Sequence, residues 1–248
     1  MDRPPEERAR GDFSPIQLLP NALTVLAICA GLSAIRFAAA ADYVLAVQLV
    51  LAACVLDSLD GRLARALKVD GAIGAELDSL ADFLNFGVAP PLILYFWALS
   101  DMRSLGWLAV LFYAVCCVLR LARFNVAAKA AASPSPPAYF TGLPSPAGAL
   151  LVLLPMFVAF ALYDRPPPPV WTVLATLVVT GALMVSRVPV WSFKTTRVSR
   201  QNAGPALLAV ALLGASALTF PWPTLVALTL AYLFVVVWGL VALRRRTP

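Results

Sequence analysis

VLDSLDGRLARALKVDGAIGAELDSLADF, residues 55–83, holds six of the 13 acidic residues in a 248-residue chain that is 61% hydrophobic. Asp57 and Asp60 are three apart, and Gly61, Ala64 and Arg65 follow them. At about 100° per residue these five fall within roughly a 140° arc of one helical face. Gly74, Asp78 and Asp82 are spaced by four, so they line one face of the next helix. A helical hairpin lets the two acidic faces meet.

Outward from this stretch the chain is mainly apolar. A mean hydropathy of +0.83 with 13% charged residues excludes an ordinary soluble globule and predicts an all-α, polytopic membrane bundle. Apolar runs of roughly 18 to 23 residues, the length that about 30 Å of hydrocarbon requires, recur throughout. Eight spans are expected, near 16–38, 43–66, 77–99, 104–125, 143–163, 169–188, 204–220 and 224–243. The interruptions between them, such as SDMRS, KAAASPSPPAYF, YDRPPPPV and FPWP, have turn chemistry.

The basic residues orient the bundle, because Lys and Arg favour cytoplasmic loops. With both termini inside, 16 of the 19 fall on the cytoplasmic side and only Arg36, Arg103 and Arg165 lie outside. The net charge of +6 is therefore a membrane asymmetry, and no nucleic-acid partner is expected. The polar start, MDRPPEERARGDFSP, predicts no separate cleavable signal. Three regions are expected: a disordered cytoplasmic segment at 1–14, a catalytic membrane core at 15–200, and a C-terminal helix pair at 201–248 ending in the basic anchor RRRTP. Cys29, Cys54, Cys116 and Cys117 lie in apolar spans without metal spacing and read as small buried hydrophobes.

Four ionised carboxylates at a membrane boundary repel one another and lose hydration, so a positive partner is required. Oxygen ligands without His or Cys favour Mg²⁺ or Mn²⁺ over zinc, and the chain has no histidine. Two such ions would match four aspartates and suit phosphoryl chemistry. Gly61 and Gly74 allow close approach of a ligand, and Arg65 can hold a phosphate oxygen. Asp70 and Glu76 read as solvated loop charges.

Written out, Asp57-x2-Asp60-Gly61-x2-Ala64-Arg65-x8-Gly74-x3-Asp78-x3-Asp82 resembles, at all eight fixed positions, the signature of the CDP-alcohol phosphotransferase family. The resemblance implies a membrane enzyme that moves a phosphatidyl or related unit from a CDP-linked donor to an alcohol and releases CMP, using a divalent metal at the cytoplasmic end of its bundle. It implies that Asp57, Asp60 and Asp78 are metal ligands and that Asp82 is both a ligand and the base for the attacking hydroxyl. It assigns Gly61, Ala64, Arg65 and Gly74 to the CDP moiety, and it implies a homodimer in a bacterial-type inner membrane.

The signature does not name the acceptor. ADFLNFGVAPPLILY, LRLARFNV, FTGLPSPAGA and LMVSRVPVWSFK resemble stretches of the membrane-embedded bacterial branch that transfers from CDP-diacylglycerol to L-serine, except that Gly148 replaces an expected alanine. A serine carboxylate needs a cation. Arg120, Arg123 and Asn125 are candidates for serine or donor phosphate, with interfacial anchoring as the alternative for both arginines; Lys194 and Arg197 are weaker candidates. Ser79 and Asn85 either orient substrate or bond neighbouring helices. The six tryptophans read as interfacial belt residues. The rival acceptors are choline, glycerol 3-phosphate and inositol phosphate. A cation transporter is the rival from another class, disfavoured because the acids gather at one hairpin.

Overall fold

The computed structural model describes residues 15–67, 72–130, 139–163, 168–186, 189–191 and 203–244. Helices α1 (Pro15–Ala39) and α2 (Tyr43–Leu67) form a hairpin, the most extensive helix pairing in the fold. Its turn places Ala41 at φ 62°, and the Asp42 carboxylate accepts the Leu45 N–H at 3.1 Å as the cap of α2.

Helix α3 (Ala72–Asp82) runs into a π-helical turn at Phe83–Val88, then α4 (Ala89–Leu94), a second π turn at Tyr95–Leu99 and a short 3₁₀ turn at Ser100–Met102. The cause of the first π turn lies in the sequence. Pro90 has no N–H to give the Phe86 carbonyl four residues earlier, and a buried carbonyl needs a partner. The buried Tyr113 hydroxyl, from α5 (Arg103–Ala130), donates to it at 3.1 Å. The second π turn is clipped in the same way, by the Tyr43 hydroxyl donating to the Phe96 carbonyl at 3.0 Å. Arg103, at φ 39°, marks the reversal into α5 where SDMRS predicts a break.

Beyond α5, α6 (Ser145–Val152) and α7 (Leu154–Ala161) stand where one span is expected at 143–163, and they meet at Leu153, just before Pro155. Then follow α8 (Val170–Val185), α9 (Ala203–Thr219) and α10 (Pro221–Arg244). Helix α5 packs along α8, and α10 along α7. Among the described residues the strands are one antiparallel pair of three residues each, β1 (Tyr139–Thr141) and β2 (Pro189–Trp191), in segments read from the sequence as loops.

Among the described residues, four helical stretches are long and apolar enough to cross a membrane: Leu18–Ala39, Tyr43–Leu67, Ile73–Ala127 and Pro221–Gly239. The third has 55 residues, more than one crossing requires. Large apolar side chains such as Leu207, Leu208, Leu212, Phe234 and Trp238 are exposed on the outer helices. A water-soluble chain rarely exposes so much contiguous apolar surface, whereas lipid accepts it.

Gly148 faces α8, where an added Cβ would run into the Met184 methyl group. The space expected for an alanine is filled by that methionine. Two expectations are corrected. Glu76 is exposed but lies within α3, because that helix begins at Ala72, earlier than its apolar run. Cys29 is exposed on the outer side of α1, while Cys116 and Cys117 are buried and Cys54 is partly so; all four are free. A thiol is apolar enough to face lipid as readily as a core. The expectations for 1–14, Lys68, Asp70, Arg165, Lys194, Arg197 and the last four residues lie outside the described residues.

Candidate active site

Three helix segments meet at one end of the bundle: the first turns of α1, the last third of α2, and α3. The spacing in α2 turns Asp57 and Asp60 toward α3, and carboxylate oxygens of Asp57, Asp60 and Asp78 lie within 4.8 Å of one another. Asp82 stands outside this trio, with its carboxyl group in hydrogen-bonding contact with that of Asp57. The hairpin inferred from periodicity thus brings all four acids together, three as a compact trio and one beside it.

Asp60 is the deepest, at 3% exposure. Its Oδ2 accepts the Thr24 hydroxyl at 2.7 Å, and its Oδ1 is buried with no hydrogen-bond partner among the described residues. A buried carboxylate oxygen is costly to leave unpaired. An orphaned oxygen beside two further carboxylates is the donor set a hard divalent cation takes.

A cavity of about 200 Å³ adjoins the trio, lined by Pro20, Asn21, Thr24, Asp60, Gly61, Ala64, Arg65, Gly74, Ala75 and Asp78. Every residue assigned from the signature to the CDP moiety lines it. Gly74 is there for close approach, since a Cβ would stand 3.0 Å from Asn21 Oδ1. Arg65 folds back along its own helix, its Nη1 3.7 Å from where a Gly61 Cβ would be. The contribution of α1 was missed from the sequence. The available signal was Asn21 and Thr24, polar residues one turn apart inside an apolar span.

The three acceptor candidates on α5 separate. Arg120 is half-buried; its Nη1 donates to Ser145 Oγ at 2.9 Å, its guanidinium is 5.4 Å from the Phe124 ring centroid, and it interacts electrostatically with Asp82. Arg123 is exposed and donates to the Val185 carbonyl at 2.8 Å, closing the last turn of α8. Asn125 donates to Ser79 Oγ at 2.9 Å and so ties α5 to α3. Asn85 is wholly buried in the first π turn, with neither amide atom bonded among the described residues. It presses on α1 at Gly31, where a Cβ would collide with its side chain. Ser145, fully buried, is a partner missed from the sequence; a serine in a Pro-rich turn carries no signal of what it will meet.

Comparison with known proteins gives a family. The family model for CDP-alcohol phosphatidyltransferases matches residues 17–163. A CDP-diacylglycerol–serine O-phosphatidyltransferase of Mycobacterium tuberculosis is 39% identical over 219 residues, which cover 88% of this chain and 76% of that protein. A protein of the same description from Helicobacter pylori is 35% identical over 185 residues, 75% of this chain and 76% of its own length. One from Bacillus subtilis is 36% identical over 137 residues, 55% of this chain and 74% of its own. The matched segment contains the whole acidic hairpin and the cavity beside it, and the chain belongs to the CDP-alcohol phosphatidyltransferase family.

Proposed function

We propose that the protein transfers the phosphatidyl group of CDP-diacylglycerol to the hydroxyl of L-serine, producing phosphatidylserine and CMP. The observation that carries this reading is the carboxylate trio of Asp57, Asp60 and Asp78, within 4.8 Å, beside a cavity lined by Gly61, Ala64, Arg65 and Gly74. The serine acceptor is supported by relatives described as serine O-phosphatidyltransferases that align with most of this chain.

Asp57, Asp60 and Asp78 would hold the metal, Mg²⁺ or Mn²⁺, with Asp82 as a further ligand if two ions bind. A divalent ion there supplies positive charge to the phosphoryl oxygens and to the departing CMP. The remaining work falls to the chain's own groups. The glycines let the nucleotide approach the backbone of α2 and α3, and Arg65 reaches its phosphate from the cavity wall. Asp82 takes the proton of the serine hydroxyl as that oxygen bonds to the phosphorus bearing the diacylglycerol. The bond from this phosphorus to the CMP oxygen breaks, and CMP leaves with the electron pair.

The finer organisation belongs to the same proposal. Eight spans place both termini and the acidic end of the bundle in the cytoplasm of a bacterial-type inner membrane, supported by the distribution of Lys and Arg. Residues 15–200 form the catalytic core, residues 201–248 add a helix pair with a basic tail, and the working unit is a homodimer.

The test is an acceptor panel. Purified protein in detergent is given CDP-diacylglycerol with L-serine, choline, glycerol 3-phosphate or inositol phosphate, and CMP and lipid product are both measured. Serine should yield CMP and phosphatidylserine in equal amounts, stopped by a chelator and restored by Mg²⁺ or Mn²⁺. Faster turnover with another acceptor would reassign the substrate, and full turnover in metal-free buffer would overturn the mechanism.

A further inference from the structure

Asn85 is wholly buried in the first π turn with both amide atoms unbonded among the described residues. An amide buried this way lowers stability, and an apolar side chain of similar size would not. Its place against α1 gives it a task. Helix α1 packs along α3 and the π turn that continues it, and three pairs of residues fix how the two segments lie. Asn21 meets Gly74, Thr24 and Asp78 share the wall of the cavity, and Gly31 meets Asn85. Thr24 and Gly31 are seven residues apart, as are Asp78 and Asn85, so the segments run in the same direction with matching steps. Seven residues are about two helical turns, and the side of α1 that receives Asn85 is the side that carries Thr24.

At each end of this contact an asparagine rests on a glycine of the other segment. Asn21 Oδ1 is 3.0 Å from where a Gly74 Cβ would be, and the place of a Gly31 Cβ is taken by Asn85 Oδ1. The Gly31 hydrogen at that place points at the amide oxygen, a weak Cα–H···O contact of the kind found where helices approach closely. Between the two seats lies the bond from the Thr24 hydroxyl to Asp60 Oδ2, at 2.7 Å. The same hydroxyl reaches the Pro20 carbonyl of its own helix at 3.1 Å, and it has one proton for the two acceptors. Sliding α1 by one residue, about 1.5 Å along and about 100° around its axis, would leave that proton with Pro20 and strip Asp60 of its donor.

We propose that Asn85 is a positioning residue of the metal site: seated on Gly31, it holds α1 in the register at which Thr24 donates to Asp60 Oδ2 while Oδ1 stays open to a cation. This rests on the reading of Asp60 as a metal ligand.

The experiment measures Mn²⁺ affinity by magnetic resonance on the purified full-length chain in detergent, without turnover. Gly31→Ala drives a methyl group into Asn85 and should weaken Mn²⁺ binding about 10-fold, the lower range for loss of an outer partner of a metal ligand. Asn85→Ala empties the seat and should weaken binding by a smaller factor. Together the two substitutions fit, because the new methyl group then stands 3.7 Å from the Cα of residue 85, an ordinary contact. Affinity in the pair should return to within about twofold of the unmodified chain, and in Thr24→Val, which already lacks the hydroxyl, Gly31→Ala should add less than about twofold, since changes acting through one bond do not add. Unchanged affinity in either single variant, no recovery in the pair, or full additivity with Thr24→Val overturns the proposal while leaving the metal reading intact. An unmodified chain that binds no Mn²⁺ overturns the metal reading first and this seat with it.

Discussion

The two halves of the site are built by opposite means. On the donor side, the carboxylates of one local hairpin point at each other and at an adjoining cavity, and their partners on α1 are neutral. On the side proposed for the acceptor, Arg120 is held by Ser145 of α6 and lies over the Phe124 ring of its own helix. The first is a concentration of like charge that a divalent cation would stabilise. The second is a single guanidinium with donors to spare, which an anionic ligand would engage. A metal and a nucleotide demand a fixed set of oxygens, which a short hairpin supplies whatever the acceptor. The alcohol is variable, and its pocket draws on helices that can vary without touching the metal.

If this division is correct, substitutions on the donor side stop the reaction for every acceptor, and those on the other side act on serine alone. The largest effect is expected for Asp60→Asn, which should lower turnover toward background and weaken Mn²⁺ binding measured by magnetic resonance. Wild-type Mn²⁺ affinity would remove Asp60 from the ligand set. Asp82→Asn should reduce kcat by about 10² to 10⁴, the usual contribution of a general base, while the donor still binds. Restoration by excess Mn²⁺ would mark Asp82 as chiefly a ligand.

Arg120→Gln should raise the serine KM by roughly 30-fold or more, since truncating one member of a buried charged pair costs about 2 to 5 kcal/mol. A matching rise in the donor KM would place Arg120 on the donor side and break the comparison. Thr24→Val, which removes the hydroxyl holding Asp60, should weaken metal activation about 10-fold, the lower range for loss of an outer hydrogen bond to a metal ligand. The smallest effect belongs to Arg123→Gln. Its donor is engaged by the Val185 carbonyl, so the serine KM should stay within about twofold. A large rise would move Arg123 into the pocket.

The same contrast explains what could be read without coordinates. Helical periodicity converts the spacing of Asp57, Asp60, Asp78 and Asp82 directly into shared faces, and the helices begin and end within a few residues of the expected runs. The exceptions are 77–99, which two π turns divide around α4, and 143–163, where Leu153 and Pro155 divide one apolar run into two helices. Thr24 and Asn21 left a faint trace as polar residues in an apolar span. Arg120, Arg123 and Asn125 looked equivalent, and only packing distinguishes a cation beside Asp82 from one that closes a helix end.

The proline pair at Pro90 and Pro91 has a consequence for the order in which the protein is assembled. The helix carrying Asp78 and Asp82 cannot complete its own backbone bonding at Phe86; the missing donor is a tyrosine 27 residues later. As the chain enters the bilayer, that carbonyl stays unsatisfied until α5 has been made and has folded back against it. The acidic hairpin is therefore synthesised early and locked late, and the helix bringing Tyr113 to Phe86 also brings Arg120 to Asp82. Completion of the backbone at Phe86 and the docking of Arg120 on Ser145 both follow from the packing of α5.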